Sequence, residues 1–447
     1  MEGDSTFAMA AVMGAQAAGW AREKDRAVAL LRVALGHRSA LAPRYTSYLL
    51  GLSASWLGLA DTAIGYLRTS LEHDPGSAET WAELGEVYSH WLPGEPAADS
   101  LQADSFRRAY RLDPGFVPAL YHLVEISLRH GDVAEAERFI GTMNAAGADS
   151  TDLAALALML RCVRESPEAI DWDREVADHP ADVVDVGSAL AVAGLHQPRC
   201  SEAAWAAVLR HDPSTEPSGV RPRYRALVGL HGLLIAEQRY EEAQHLLDTE
   251  RRLPRERVWP LQIVAAVAGA PQTRQAAFAA ESLSRFAKDG GRAPAALWSL
   301  ALWEHQLGHA RAVRTLAERA AADARRSGAS RLDTLVSQSL QGWAALTAGD
   351  SVRALRIFEA LTPLGGEEHW EALCAERMEM AELHLSRADY AAAFRVASLF
   401  DAPGGVSYLV HLRASLVLRR RAALGMRDEK VAISMEQRLA ALAHARL

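Results

Sequence analysis

Large apolar side chains recur along the chain at the three- and four-residue spacing of an amphipathic helix. Trp81, Leu84 and Tyr88 lie at such spacing. Breaks at Gly, Pro and Asp residues divide the helical pattern into about twelve pairs of helices, from Phe7 to the segment 434–447. The pattern therefore predicts an all-α protein built from tandem helical hairpins.

The hairpins also repeat in sequence. Leu50-Gly51 recurs as Leu84-Gly85, 34 residues later, and a third copy follows after an insertion of about five residues near 93–100. Small residues in this register predict closely crossing helices, and Pro is expected to end a second helix because it cannot continue a helix interior. The register residues are Leu50, Gly51, Ala63, Leu67, Pro75, Trp81, Leu84, Gly85, Tyr88, Phe106, Ala109, Pro114, Gly131, Ala136, Gly342, Ala354 and Phe358.

The segment 81–114 resembles the tetratricopeptide repeat in nearly every place of that motif. The matching residues are Trp81, Leu84, Gly85, Tyr88, Phe106, Ala109 and Pro114, and only the central Ala of the motif is displaced by the insertion. The resemblance implies hairpins stacked into an α-solenoid, a right-handed superhelix.

Three parts are predicted along the chain. The first, 1–150, is an N-terminal repeat array with its clearest units at 44–77, 78–116 and 117–150. The second, 151–256, holds degenerate hairpins and is marked by prolines that are expected to bend or divide the array. The third, 257–447, is a C-terminal array ending in a capping helix. The prolines of the middle part are Pro213, Pro217, Pro222 and Pro254.

Composition narrows the function classes. With 49% hydrophobic and 23% charged residues the chain is expected to be folded throughout. A net charge of −8 argues against a nucleic-acid surface, which needs clustered Lys and Arg. No apolar run is long enough for a membrane span. Cys162, Cys200 and Cys374 lie far apart in sequence without a CxxC pair, which favours a cytoplasmic location.

The first helices of successive repeats are expected to line a concave groove, as the resemblance implies. Aromatic side chains there would anchor a protein or peptide partner, and carboxylates would favour a basic or amphipathic one. The alternative is that the carboxylates form a solvated helix face. The predicted groove residues are Tyr45, Tyr48, Leu52, Trp56, Glu79, Ala82, Glu83, Glu86, Tyr121, His122 and Glu125.

No catalytic residue, cofactor or metal site is predicted. The sequence has no GxGxxG loop, no P-loop lysine and no GxSxG elbow. His305 and His309 are four residues apart, but Gly308 between them is expected to form a turn, and no third ligand is evident. Basic residues cluster around Arg419, Arg420 and Arg421, where a solvated face is expected.

The sequence therefore predicts a non-catalytic scaffold that binds a partner segment in the groove of a superhelix. A wider resemblance leaves a second interpretation open. The segments DSTFAMAA, WAELGEVYSHW and FRVASLFDAPGGVSYLVHLRASLVLRR resemble the C-terminal repeat region of bacterial signalling regulators, in which a serine/threonine kinase or a transcription-activator module precedes the repeats. The chain would then be a sensory repeat region whose catalytic or DNA-binding module is absent. The oligomeric state is left open.

Overall fold

The computed structural model describes residues 7–444 except 21–22, 93–97, 192–196, 212–219, 272, 290, 292–293, 362–370 and 402–405. Within these residues the regular structure is helical and contains no strand. Contacts between residues divide the chain into two compact units, Met1–Arg164 and Glu165–Leu447. The boundaries predicted at 150 and 256 stay predictions, and Pro213 and Pro217 lie outside the described residues.

Unit 1 consists of tandem helical hairpins. Helices α1 and α2, α3 and α4, α5 and α6, and α7 and α8 pack as pairs, and α9 packs against α7 and α8. The range 44–77 thus contains one helix pair, as do 78–116 and 117–150. The helices are α1 Ala8–Trp20, α2 Lys24–Gly36, α3 Pro43–Trp56, α4 Ala60–His73, α5 Ala78–Trp91, α6 Ala98–Leu112, α7 Val117–Arg129, α8 Val133–Ala145 and α9 Ser150–Arg164.

Unit 2 continues the hairpin pattern after one short helix, with neighbouring helices again in pairs. Its helices are α10 Trp172–Asp178, α11 Pro180–Ala191, α12 Pro198–Arg210, α13 Val220–Ala236, α14 Tyr240–Thr249, α15 Arg255–Val267, α16 Thr273–Lys288, α17 Pro294–Gln306, α18 Ala310–Ala324, α19 Arg331–Thr347, α20 Ser351–Glu359, α21 Glu371–Ser386, α22 Tyr390–Ser398, α23 Leu412–Gly425 and α24 Glu429–His444. The all-α hairpin fold predicted from the sequence is confirmed.

The two helices of a hairpin cross at a glycine, as the register predicted. A Cβ atom added at Gly51 would lie 2.7 Å from Cγ of Leu67, and one added at Gly85 would lie 2.7 Å from the ring of Phe106. The glycines therefore allow an approach that any side chain would prevent. The same relation holds within a hairpin for Gly342 with Phe358 and for Gly187 with Trp205. Gly229 with Trp205 and Gly425 with Tyr390 allow an equally close approach between neighbouring hairpins.

The other register residues lie at the crossings or at the turns. Gly131 has a φ of +74° and ends α7 in the left-handed conformation that glycine adopts without strain. Pro75 and Pro114 follow the ends of α4 and α6, as expected. Leu50 and Trp81 are half-buried. The buried register residues are Ala63, Leu67, Leu84, Tyr88, Phe106, Ala109, Ala136, Ala354 and Phe358.

Side-chain caps mark where many helices begin. The hydroxyl of Ser77 accepts a hydrogen bond from the backbone of Thr80 at the start of α5. The carboxylates of Asp132, Asp350 and Asp389 accept equivalent bonds at the starts of α8, α20 and α22. Such caps satisfy backbone donors that have no partner within the helix, so the breaks read from the sequence coincide with helix boundaries.

Unit 2 departs from a simple repeat array in one place. The 3-10 segment Val406–His411 packs against α13, more than 170 residues earlier in the chain. Gly232 of α13 allows this contact, because a Cβ atom there would lie 2.9 Å from Cβ of Leu409 and 3.0 Å from the backbone nitrogen of Val410. In a simple array each repeat contacts only its neighbours, so this contact closes part of unit 2 on itself.

The solvated face predicted for the basic residues of α23 is wrong for Arg419. Arg419 is fully buried and its Nη1 lies 2.5 Å from Oδ2 of Asp401, which is also contacted by Arg438 at 2.7 Å. Burial alone would raise the pKa of Asp401, but the charges of Arg419 and Arg438 hold it well below its usual range.

The two arginines that follow Arg419 lie at the surface. Arg420 forms an ion pair with Glu436, and Arg421 forms one with Glu382.

No helix among the described residues combines the length and apolar character needed to cross a membrane.

Candidate functional site

The predicted groove residues lie on α3, α5 and α7, the first helices of three successive hairpins. Four of them are buried, which contradicts the exposed position expected for them: Tyr48, Leu52, Ala82 and Glu83 are 3%, 1%, 2% and 6% exposed. The half-buried members, which solvent reaches, are Tyr45, Trp56, Glu79, Glu86, Tyr121, His122 and Glu125.

The burial of the α3 residues has a structural cause. Tyr48 and Leu52 belong to a hydrophobic cluster that includes residues of α1 and α5. Trp56 packs on α1, where a Cβ atom at Gly19 would lie 2.7 Å from its ring. The first hairpin thus covers much of α3, on which Tyr45 and Trp56 are both half-buried.

Glu83 is a buried carboxyl group between α3 and α5. Its side chain hydrogen-bonds to Ser55, and burial followed by the charge of Glu86 raises its pKa from 4.5 to about 8. Burial and the charges of Glu83 and Glu79 also raise the pKa of Tyr48. Near neutral pH Glu83 is therefore mostly protonated, and it adds little to the negative charge predicted for this face.

Replacing Glu83 with Gln is expected to stabilise the protein at pH 9 and to change its stability little at pH 5. A carboxyl group whose folded pKa lies above its ordinary value binds more protons when folded, so the free energy of unfolding falls as the pH rises from 4.5 to about 8. Gln removes this decline. Urea unfolding at both pH values measures the effect, with Glu72→Gln on the exposed side of α4 as control. Equal stability of wild type and variant at both pH values would contradict the prediction.

Four polar side chains meet between α5 and α7. Nε2 of His122 lies 2.8 Å from Oε1 of Glu86, and Nδ1 of the same ring lies 2.9 Å from Oε2 of Glu125. Nε2 of His90 lies 3.1 Å from the second oxygen of Glu86. We call Glu86, His90, His122 and Glu125 the α5–α7 cluster.

Electrostatics couples these groups. Burial alone would lower the pKa of His122, but the charge of Glu86 and hydrogen bonds to Glu125 and Glu86 raise it to about 10. Burial alone would raise the pKa of Glu86, but His122 and His90 hold it well below its usual range. The predicted acidic stripe is therefore a mixed cluster in which a histidinium offsets part of the negative charge.

The ring of His122 is held in place by its neighbours. It stacks on Phe106 with ring centroids 4.5 Å apart and an interplanar angle of 15°. Phe106 in turn lies against Gly85, where the two helices of the hairpin cross. Tyr121 meets the edge of the same imidazole at 5.7 Å. The close approach of α5 and α6 at Gly85 thus holds Phe106, and through it the ring of His122, in position.

His90 was not among the residues predicted from the sequence, nor was its contact with the cluster. Glu86 and His90 are four residues apart on one helix, and His122 and Glu125 are three apart on another, so each pair shares a helix face. Those spacings are visible in the sequence. Their meeting depends on the packing of α5 against α7, which no single-helix pattern reports.

The rings of His305 and His309, which the sequence places four residues apart, contact different partners. Nδ1 of His305 lies 2.7 Å from the hydroxyl of Thr347, whereas Nδ1 of His309 lies 2.7 Å from Glu304. Gly308 between them has a φ of +73° and forms the expected turn.

Comparison with known proteins gives no family assignment: no protein-family model and no curated protein matches the chain. Two solved structures align with most of it at low similarity. The tetratricopeptide-repeat domain of P58(IPK) is 12% identical, with 87% of this chain and 99% of that chain covered and a TM-score of 0.26. The Naa15/Naa10 complex bound to HypK-THB is 12% identical, with 97% and 80% covered and a TM-score of 0.28. Such distant superpositions carry no argument, and the fold follows from the hairpins of the chain itself.

Proposed function

We propose that the chain is a non-catalytic protein-interaction scaffold that binds a basic or amphipathic segment of a partner along α3, α5 and α7 of unit 1. The observation that carries the proposal is a row of half-buried aromatic and acidic side chains on three successive first helices. The row consists of Tyr45, Trp56, Glu79, Glu86, Tyr121 and Glu125.

Contacts between the helices support the proposal, because they place α5 next to both α3 and α7. Ser55 of α3 hydrogen-bonds to Glu83 of α5, and Glu86 of α5 meets His122 of α7. A partner that is an extended segment or a helix could then contact residues of three successive hairpins along its length. The net charge of −8 supports a protein partner over a nucleic acid.

Tyr45 and Tyr121 are the proposed anchors at the two ends of the surface. The guanidinium carbon of Arg44 lies over the Tyr45 ring, 4.5 Å from the ring centroid. This contact restricts movement of the ring. Aromatic side chains with restricted freedom contribute binding energy at a small entropic cost. Glu79, between them on α5, would attract Arg or Lys side chains of the partner.

Selection of a displayed peptide library on the intact chain tests the proposal. Enriched peptides are expected to combine Arg or Lys with apolar residues. The double variant Tyr45→Ala/Tyr121→Ala is expected to weaken their binding about 10³-fold, since interface anchors contribute about 2 kcal/mol or more each and about 1.4 kcal/mol is tenfold. Tyr66→Ala is the matched control, because Tyr66 is exposed on α4, the second helix of its hairpin.

Fluorescence anisotropy with a labelled selected peptide measures these affinities. Equal affinity of the double variant and the control would place binding elsewhere on the chain. Failure to enrich any peptide above a protein-free selection would contradict the scaffold proposal itself.

A further inference from the structure

Three side chains of the α5–α7 cluster bring nitrogen and oxygen atoms that can bind a metal close to one another. Glu86 and His90 project from one face of α5, and His122 projects from α7. One ligand atom from each of the three lies within 4.8 Å of the others. Both imidazole Nε2 atoms are directed at the same carboxylate, one at each oxygen.

We propose that Glu86, His90 and His122 form a binding site for a divalent transition-metal ion, with Zn²⁺ as the best match. Two imidazoles and one carboxylate are a donor set that Zn²⁺ prefers, and it leaves a fourth coordination position open to water. The inference does not depend on partner binding.

The arrangement around His122 is the strongest support. Its Nε2 atom faces the other two donors, while its Nδ1 atom lies 2.9 Å from the carboxylate of Glu125. A carboxylate on the remote nitrogen is the usual way in which proteins orient a metal-binding histidine and increase its basicity. The stacked ring of Phe106 restricts rotation of the imidazole further. His122 is thus oriented before any ion arrives.

Small movements would complete the coordination. Metal–ligand bonds of ~2.0–2.2 Å place neighbouring donor atoms about 3.3 Å apart in a tetrahedral site. The side chains of His90, Glu86 and His122 are 41%, 22% and 12% exposed, so the most exposed ligand is also the one with the most freedom to move. The same exposure gives an ion a path from solvent.

The cluster has a chemical reason to accept a cation. Two carboxylates, Glu86 and Glu125, lie against opposite nitrogens of the His122 ring, so the position of a bound cation would be next to negative charge. Metal binding would join α5 to α7 and therefore link two successive hairpins.

Calorimetric titration of the chelator-treated full-length chain with ZnCl₂ tests the proposal. The wild type is expected to bind one ion with high affinity, and His90→Ala to weaken that binding at least ~100-fold. Glu125→Gln is expected to weaken it about 10- to 100-fold, the usual effect of losing a carboxylate behind a metal-binding histidine. His130→Ala is the control, because His130 is an exposed histidine of unit 1 that pairs with Asp99 outside the cluster.

Co²⁺ provides an independent readout, since a four-coordinate site gives intense visible absorption that a hydrated ion lacks. Circular dichroism establishes that each variant is folded; His90 is the safest substitution because its side chain is largely outside the core. Unchanged Zn²⁺ affinity in both His90→Ala and Glu86→Gln, or absence of a high-affinity ion in the wild type, would overturn the proposal. Loss of binding in His130→Ala equal to that in His90→Ala would also overturn it.

Discussion

Replacing Asp401 with Ala is expected to lower the free energy of unfolding of unit 2 by about 3–5 kcal/mol, because it leaves a buried guanidinium without its counter-ion. Arg419 is 0% exposed, and the side chain of Asp401 is only 7% exposed. Arg438 approaches the same carboxylate from α24, with Nη2 2.7 Å from Oδ1. The carboxylate of Asp401, which follows α22, therefore holds both α23 and α24. Its removal affects both helices.

Differential scanning calorimetry of the full chain measures this effect as a lower melting temperature of the transition that contains unit 2. Arg421→Ala is the matched control, because Arg421 pairs with Glu382 at the surface, where such pairs contribute about 0–1 kcal/mol. If Asp401→Ala melted like Arg421→Ala, the buried ion cluster would not be a stabilising element of unit 2.

Replacing Gly85 with Val is expected to destabilise unit 1 by about 3 kcal/mol or more. A Cβ atom at this position would lie 2.7 Å from two ring carbons of Phe106, closer than atoms in van der Waals contact. Phe106 is fully buried and stacked on His122, so the ring has no space into which to move. The helices must separate or the ring must leave its rotamer, and both disturb a packed core.

The matched control for this substitution is Gly65→Ala in α4. A Cβ atom at Gly65 has no neighbour within 4 Å, so the change is expected to stabilise the helix by about 0.5–1 kcal/mol through the lower backbone entropy of Ala. Chemical denaturation of the full chain separates the two results, which are of opposite sign. Unchanged stability of Gly85→Val would mean that the helices of this hairpin do not cross at Gly85.

The hairpin register was predictable because its causes are local. Each hairpin crossing pairs a glycine on the first helix with a large apolar side chain about half a repeat later on the second. Gly51 with Leu67 and Gly342 with Phe358 are two examples. Aspartate and serine at helix starts supply hydrogen-bond acceptors for unpaired backbone amides, which also depends on near neighbours in sequence. A pattern with a single period and a local physical cause appears directly in the amino-acid order.

The solvent exposure of the predicted groove residues was predicted less well. Tyr48 and Glu83 were expected to face a partner, but α1 and α3 cover them within unit 1. The helical period identifies residues that share a face, yet it does not report how deeply the neighbouring hairpin covers that face. Burial also changes the charge of this face, because it raises the pKa of Glu83 to about 8.

The amino-acid order was enough to predict a chain of helical hairpins and the close crossings at Gly51 and Gly85. Only the tertiary structure decided that Arg419 is buried against Asp401, that the segment Val406–His411 packs on α13, and that His90 and His122 meet at Glu86. The physical reason is distance along the chain. Local preferences act between residues a few positions apart, whereas these contacts join separate helices and follow from how their surfaces pack.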